Sequence, residues 1–185
     1  GFPEVFMDAL QANSAMRRQI AQVIRAGMPV YAECGGLMYL ARSLTWQGRT
    51  CRIVGVIEGD AVMHARPVGR GYVELAATDQ GLWPRAAAGA APRLRGHEFH
   101  YSSLDNLDPQ TRFAYRVLRG HGVDGRHDGI LVHRLLASYS HLRDVGGNGW
   151  THAFATFVRA CKAAPRYVPC TPVANERPAE AALAD

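Results

Sequence analysis

The chain has 185 residues, of which 48% are hydrophobic and 20% charged, and this composition supports one domain with a buried core and excludes a wholly disordered protein. No apolar run approaches the roughly 18–20 residues of a membrane span, and no signal peptide is visible. The four cysteines lie too far apart for a disulfide framework or a structural zinc site. We therefore expect a reduced, cytoplasmic protein with no bound metal and no membrane partner.

The net charge is +5, and Lys162 is the only lysine among the 21 basic residues. Two explanations of this arginine content stay open: arginine-rich codon usage, or an acidic partner that guanidinium groups bind in bidentate fashion. Nucleic acid is not expected, because the arginines are dispersed and no aromatic residues alternate with them.

Helical and strand patterns alternate along the chain. Apolar residues at i, i+4, i+7 and i+8 predict a first helix and are Met16, Ile20, Val23 and Ile24. Asn13 or Ser14 can cap its start, and Gly27 ends it. A strand over 30–34 and a helix over 35–44 follow. Further strands are predicted at 52–58, 71–77, 95–101, 112–118 and 129–133.

The end of the chain carries a closing helix and a tail. The apolar stripe that predicts this helix consists of Phe154, Phe157, Val158 and Cys161. Residues 85–92 have the composition of a surface loop, and the proline-rich residues 164–185 that of a flexible tail. Helix, strand, helix and then several strands predict an α/β fold whose sheet is covered on both faces.

The most informative segment is Val30-Tyr-Ala-Glu-Cys-Gly-Gly36, in which a buried strand ends on a cysteine and two glycines precede a helix. A sharp strand–nucleophile–helix turn needs small neighbours, because its backbone is strained and the strand and helix pack closely. Such a turn points the sulfur at the helix N-terminus, where N–H groups stabilise a thiolate and an oxyanion. Cys34 is therefore a candidate nucleophile; the alternative is a small buried core residue.

A nucleophilic cysteine needs a base, and the chain has eight histidines. His141 follows an apolar run, where the end of a strand could place it near Cys34. His97 and His100 lie in Arg95-Gly-His-Glu-Phe-His-Tyr-Ser102, whose polar, aromatic and glycine residues suit a site loop. For each histidine, an ordinary hydrogen-bonded structural role is the alternative.

Four blocks of sequence carry a family resemblance, and they are Gly1-Phe-Pro-Glu4, Ala32-Glu-Cys-Gly-Gly-Leu-Met-Tyr-Leu40, Arg95-Gly-His-Glu-Phe-His-Tyr-Ser102 and Ala137-Ser-Tyr-Ser-His-Leu142. Together they resemble the class I, cysteine-dependent glutamine amidotransferase domain of the cobyrinic acid a,c-diamide synthases, in the branch shared with cobyric acid synthase. The resemblance implies a three-layer, flavodoxin-like α/β domain over 1–163 with a mixed, mostly parallel central sheet.

The resemblance also implies roles for individual residues. The Cys34 thiolate would attack the side-chain carboxamide of glutamine, and His141 would act as general acid and base. Backbone groups of Gly35 and Gly1 would form the oxyanion hole. Residues expected to line the glutamine site are Gly36, Glu98 and His100.

Two features depart from the family pattern. Many class I members place an acid two residues after the histidine to orient it, but Arg143 occupies that position here and Asp144 follows it. We therefore expect a Cys–His dyad, with Asp144 as an alternative orienting acid. The chain also lacks a GxxxxGK[ST] phosphate loop. It is therefore expected to be N-terminally truncated relative to the family and to need no cofactor itself, while ATP and Mg²⁺ serve a synthetase domain elsewhere.

The predicted function is an ammonia-supplying glutaminase domain of a glutamine-dependent amidoligase in cobalamin biosynthesis. Its partners would be L-glutamine, the N-terminal synthetase domain and, through that domain, an acidic tetrapyrrole, by default cobyrinic acid; the isolated chain would at most hydrolyse glutamine. The alternatives are a sirohydrochlorin- or sirohaem-type ring, a cobyric acid or cell-wall lipid substrate, a stand-alone cysteine hydrolase or chaperone-like protein of similar fold, and a non-catalytic interaction domain. A homodimer is left open.

Overall fold

A computed structural model describes residues 1–82, 93–144 and 149–163; the loop predicted at 85–92 and the tail predicted at 164–185 lie outside these ranges. The helical elements are a 3-10 helix at Pro3–Phe6 and α-helices α1 (Met7–Ala12), α2 (Ser14–Arg25), α3 (Gly35–Leu40) and α4 (Trp150–Ala163). The first strands are β1 (Val30–Glu33), β2 (Ala41–Trp46), β3 (Arg49–Arg52), β4 (Ile57–Met63), β5 (Gly69–Ala77) and β6 (Arg93–His100). The remaining strands are β7 (Ser102–Asp105), β8 (Arg112–Arg119), β9 (His127–Val132), β10 (Leu135–Ser138) and β11 (His141–Leu142). No helix within these ranges is long and apolar enough to cross a membrane.

The first predicted helix and its boundaries are confirmed. Helix α2 spans Ser14–Arg25, and the Asn13 side chain accepts a hydrogen bond from the Met16 N–H at 3.1 Å. Gly27 follows with φ of 87°, the left-handed conformation in which helices commonly end. Local capping chemistry therefore sets both ends of this helix.

The strands form two sheets, one of seven strands in the order β1-β10-β9-β8-β5-β6-β11 and one of four in the order β3-β2-β4-β7. The α/β class and the mixed sheet agree with the prediction, but the expectation of a mostly parallel sheet is wrong. Over the described ranges, β1 and β10 are the one parallel pair of the large sheet. Short connections explain this, because a link as short as His133-Arg134 between β9 and β10 joins only antiparallel strands.

The large sheet curls strongly. Strands β10 and β11 are five positions apart in the strand order, so a flat sheet would separate them by about 24 Å. The chain from Ser138 to His141, however, spans at most about 11 Å. The sheet must therefore bend round until its two terminal strands, β1 and β11, approach each other. This curvature brings residues of β1 and β11 to a common site.

Each face of the sheet has its own hydrophobic cluster, and alternate residues of β9 and β10 point into one or the other. Ile130 and Leu135 pack with α2, α3 and the second sheet. Leu131 and Leu136 point to the opposite face of the sheet. There they pack in a second cluster with residues of β5 and β6 and with Trp150 of α4. Both faces of the sheet are thus covered, as predicted, one by helices and the second sheet and the other largely by strands of the same sheet.

Two predicted elements differ in extent. The helix predicted over 35–44 ends at Leu40, because Gln47 and Gly48 have φ of 50° and 74° and make a tight hairpin that pairs β2 with β3. The strand predicted over 52–58 is displaced, and β4 begins only at Ile57. In the first of these places a turn, rather than the apolar pattern, decides where the strand lies.

Candidate active site

The turn at Glu33–Gly35, between β1 and α3, has the backbone geometry predicted for a nucleophile. Cys34 adopts φ of 48° and ψ of −105°, a left-handed conformation that is rare for a residue with a side chain. Its N–H donates to the Ser138 carbonyl at 2.8 Å, which holds the turn against β10. A Cβ on Gly35 would lie 2.3 Å from the Gly1 carbonyl oxygen, so only glycine fits there. Gly1, Cys34 and Gly35 are thus brought together.

His141 lies on β11 and its imidazole reaches the same turn. Hydrogen bonding to the Cys34 sulfur and to Glu33 raises the pKa of His141 to about 9, against partial burial, which lowers it. At neutral pH the ring is therefore an imidazolium beside the cysteine. The structure thus brings the two predicted catalytic side chains together.

The carboxylate of Glu33, which was not among the residues predicted from the sequence, completes this group. It accepts hydrogen bonds from His141 Nδ1 at 3.0 Å, from the Tyr31 hydroxyl at 2.6 Å and from the Leu142 N–H at 3.0 Å. Burial alone would raise the pKa of Glu33, but these three donors outweigh it and the net effect is a lowered pKa. Glu33 is therefore an anion in contact with an imidazolium.

Neither Arg143 nor Asp144 takes the place of the orienting acid. Asp144 accepts a hydrogen bond from the Thr151 hydroxyl at the start of α4. Arg143 lines an open cleft of about 400 Å³ together with His97. The interpretation of Asp144 as the orienting acid is therefore wrong, and the expected dyad has a third group in Glu33.

His97, rather than Glu98 or His100, stands next to His141. The two rings stack with centroids 4.9 Å apart, on paired residues of β6 and β11. Burial lowers the pKa of His97, and the positive charges of His141 and Arg143 lower it further. His97 is therefore a neutral ring packed against a charged one.

Of the three residues predicted to line the glutamine site, Gly36 lies in α3, immediately after Gly35. Glu98 and His100 are buried, with 2% and 3% of their surface exposed. Glu98 accepts hydrogen bonds from the N–H groups of residues 121–122 at 2.7 and 2.9 Å. The ring of His100 stacks on Tyr139 at a centroid distance of 3.9 Å. Side chains alternate along β6, so the neighbouring histidine at 97 points the other way.

A buried aspartate anchors the segment that leads to His141. Asp128 is fully buried, and its carboxyl oxygens accept hydrogen bonds from the N–H groups of Gly129 at 2.8 Å and of Tyr139 and Ser140 at 3.0 Å. The turn that immediately precedes His141 is thus held by one side chain of β9. An acidic residue within the otherwise apolar run 128–132 was the available signal.

The other described cysteines have no comparable setting. Cys51 and Cys161 are buried, and burial raises the pKa of the Cys51 thiol. They are core residues, as expected for Cys161, while Cys170 lies outside the described ranges.

Solved structures with a similar fold include a glutamine amidotransferase. The chain resembles a crystal structure of a glutamine amidotransferase with a TM-score of 0.56 and 15% identity, covering 82% of this chain and 72% of that one. It resembles PurLQS from Thermotoga maritima with a TM-score of 0.56 and 13% identity, covering 84% and 72%. These likenesses define the class of fold.

The sequence comparisons define the family. Residues 1–145 match the family model of the CobB/CobQ-like glutamine amidotransferase domain, and the chain belongs to this family. It is 43% identical over 159 residues to a cobyrinate a,c-diamide synthase of Magnetococcus marinus, covering 86% of this chain and 33% of that protein. It is 42% identical over 142 residues to a protein of the same name in Archaeoglobus fulgidus, covering 77% and 30%. The chain thus spans about a third of the length of these curated relatives.

Proposed function

We propose that this chain is the glutamine-hydrolysing domain of a cytoplasmic enzyme that converts carboxylates of an acidic tetrapyrrole, cobyrinic acid, into carboxamides. The observation that carries the proposal is the hydrogen bond between the His141 side chain and the sulfur of Cys34, which lies on a strained turn. The family and the names of the relatives supply the substrate.

Hydrolysis begins at the sulfur. The Cys34 thiolate attacks the side-chain carbonyl carbon of glutamine, and the oxyanion that forms accepts hydrogen bonds from the Gly35 N–H and from the backbone at Gly1. The C–N bond then breaks, and the nitrogen leaves as ammonia with the proton of the His141 imidazolium. A γ-glutamyl thioester on Cys34 remains.

The second half-reaction restores the site. Neutral His141 takes a proton from water, the hydroxide adds to the thioester carbonyl, and the sulfur leaves as a thiolate. Glutamate is released, and the imidazolium again faces the thiolate.

Use of the ammonia requires the rest of the protein. The relatives are about two and a half times as long as this chain. We propose that the additional region activates a substrate carboxylate with ATP and Mg²⁺. Ammonia released at Cys34 would then displace the activating group and form the carboxamide. No residue of the present chain is assigned to ATP or Mg²⁺.

The glutaminase step is tested by measuring glutamate release from glutamine by the purified chain. Wild type should release glutamate, and Cys34→Ala should release none. Cys161→Ala is the matched control, because it removes a buried thiol of α4 to which the proposal gives no role. Equal activity of Cys34→Ala and Cys161→Ala would contradict the proposal.

The amidation step is tested with the full-length protein, ATP, Mg²⁺ and cobyrinic acid, with product mass as the readout. Cys34→Ala should form the amide from ammonium chloride but not from glutamine, whereas wild type should use both. Conversion of sirohydrochlorin but not of cobyrinic acid would overturn the proposal that cobyrinic acid is the substrate. Formation of the amide from glutamine by Cys34→Ala would overturn the role of this domain.

A further inference from the structure

We propose that Glu33 is the residue that positions His141, and that an acid directly before the nucleophile here replaces the acid that related enzymes carry two residues after the histidine. The inference rests on the proposed function for its catalytic meaning. Its structural basis is the contact of 3.0 Å between Glu33 Oε2 and His141 Nδ1.

An imidazole has two nitrogens, and the partner of one determines what the other can do. With Nδ1 held by the Glu33 carboxylate, its proton stays on Nδ1, and Nε2 is left to exchange a proton at the Cys34 sulfur and with the departing ammonia. The carboxylate also stabilises the imidazolium that the first half-reaction consumes and the second restores. Without it, the ring could rotate and take the other tautomer.

The carboxylate is itself held firmly. Oε1 accepts from both the Tyr31 hydroxyl and the Leu142 N–H, so Oε2 is left for the imidazole. Tyr31 is two residues before Glu33 on β1 and therefore shares its face. Its ring packs on Trp150 at a centroid distance of 4.5 Å. Helix α4 thus supports Tyr31, which supports Glu33, which in turn orients His141.

The curvature of the large sheet brings Glu33 and His141 into contact. Cys34 and Glu33 are adjacent residues at the end of β1. His141 lies on β11, the strand at the other end of the strand order of the same sheet. The position used by other class I enzymes is occupied by Arg143, which faces the cleft. An acid at that position is not needed when the residue before the nucleophile already reaches Nδ1.

A purely structural role is the competing explanation, because Glu33 also joins β1 to the backbone of Leu142. Such a role would lower stability without changing the protonation of His141. Among the described residues, the charged or titratable groups that contact the His141 ring are Cys34, Glu33 and His97, with Arg143 beside His97. A readout at the ring itself separates the two explanations.

The experiment is a ¹⁵N NMR titration of the His141 side chain in the full chain, in wild type, Glu33→Asp and Glu33→Gln, with glutamine hydrolysis followed in parallel. Glu58→Gln is the matched control, since Glu58 is an exposed glutamate of β4 in the second sheet. Glu33→Asp withdraws the carboxylate by one methylene but keeps its charge, so it gives an intermediate test if Glu33→Gln does not fold.

In wild type, His141 should hold its proton through neutral pH. Glu33→Gln should lower its midpoint by about one pH unit or more, Glu33→Asp by less, and Glu58→Gln should leave it unchanged. For hydrolysis, kcat of Glu33→Gln should fall about 10²-fold or more with a smaller change in KM. An unchanged His141 midpoint in the folded Glu33 variants would overturn the inference. Wild type that titrates as expected but does not hydrolyse glutamine would instead overturn the proposed function alone.

Discussion

Replacement of Asp128 by alanine should destabilise the protein strongly, although the residue touches neither the nucleophile nor its base. The change leaves three N–H groups without an acceptor, those of Gly129, Tyr139 and Ser140, and all three residues are buried. Each buried donor left unpaired costs about 1–3 kcal/mol, so the loss should be about 3 kcal/mol or more. A typical domain has only about 5–15 kcal/mol of stability.

Urea unfolding followed by far-UV circular dichroism measures this loss. Asp124→Ala is the matched control, because Asp124 also accepts backbone hydrogen bonds, from Arg126 and His127, but its side chain is 40% exposed. Water can replace that carboxylate, so the control should cost at most about 1 kcal/mol. Equal losses in the two variants would refute the reasoning that one buried acceptor holds the turn before His141.

Three further results are expected. The pKa of His141 is raised to about 9, and its proton leaves with ammonia. The kcat for glutamine hydrolysis should therefore fall as pH rises through about 9. A fall already near pH 6.5 would contradict the role of His141 as the acid. Gly35→Ala places a methyl group 2.3 Å from the Gly1 carbonyl oxygen. By displacing the N–H that binds the oxyanion, it should lower kcat about 10²-fold or more. An unchanged rate of glutamate release would contradict the oxyanion hole at Gly35. Cys34→Gly should be more stable to urea than Cys34→Ala by about 1 kcal/mol, because glycine adopts φ of 48° without strain, and the opposite order would show that the turn is not strained.

Features that depend on neighbouring residues could be predicted from the sequence. Helix α2 follows from its apolar spacing and the Asn13 cap. The turn at Glu33–Gly35 follows from a strand, a cysteine and two glycines in succession. In both cases the determining groups lie within a few residues of each other, so the pattern along the chain contains the information.

Features that depend on the closure of the sheet could not be predicted in this way. The contact between Glu33 and His141 joins residues 108 positions apart, and it forms only because the sheet curls until β1 and β11 approach. Asp128 likewise acts on a turn 11 and 12 residues further along. The position two residues after His141 holds Arg143, and spacing along the sequence does not show that the curvature of the sheet brings Glu33 to the imidazole.

The most direct test of Cys34 as the glutamine nucleophile is the intact mass of the chain after incubation with 6-diazo-5-oxo-L-norleucine, a glutamine analogue that alkylates nucleophilic cysteines of glutamine sites. We expect a single adduct on wild type and on Cys161→Ala, and none on Cys34→Ala. An adduct that persists in Cys34→Ala, or a folded wild-type chain that forms none, would contradict the role of Cys34 in this domain.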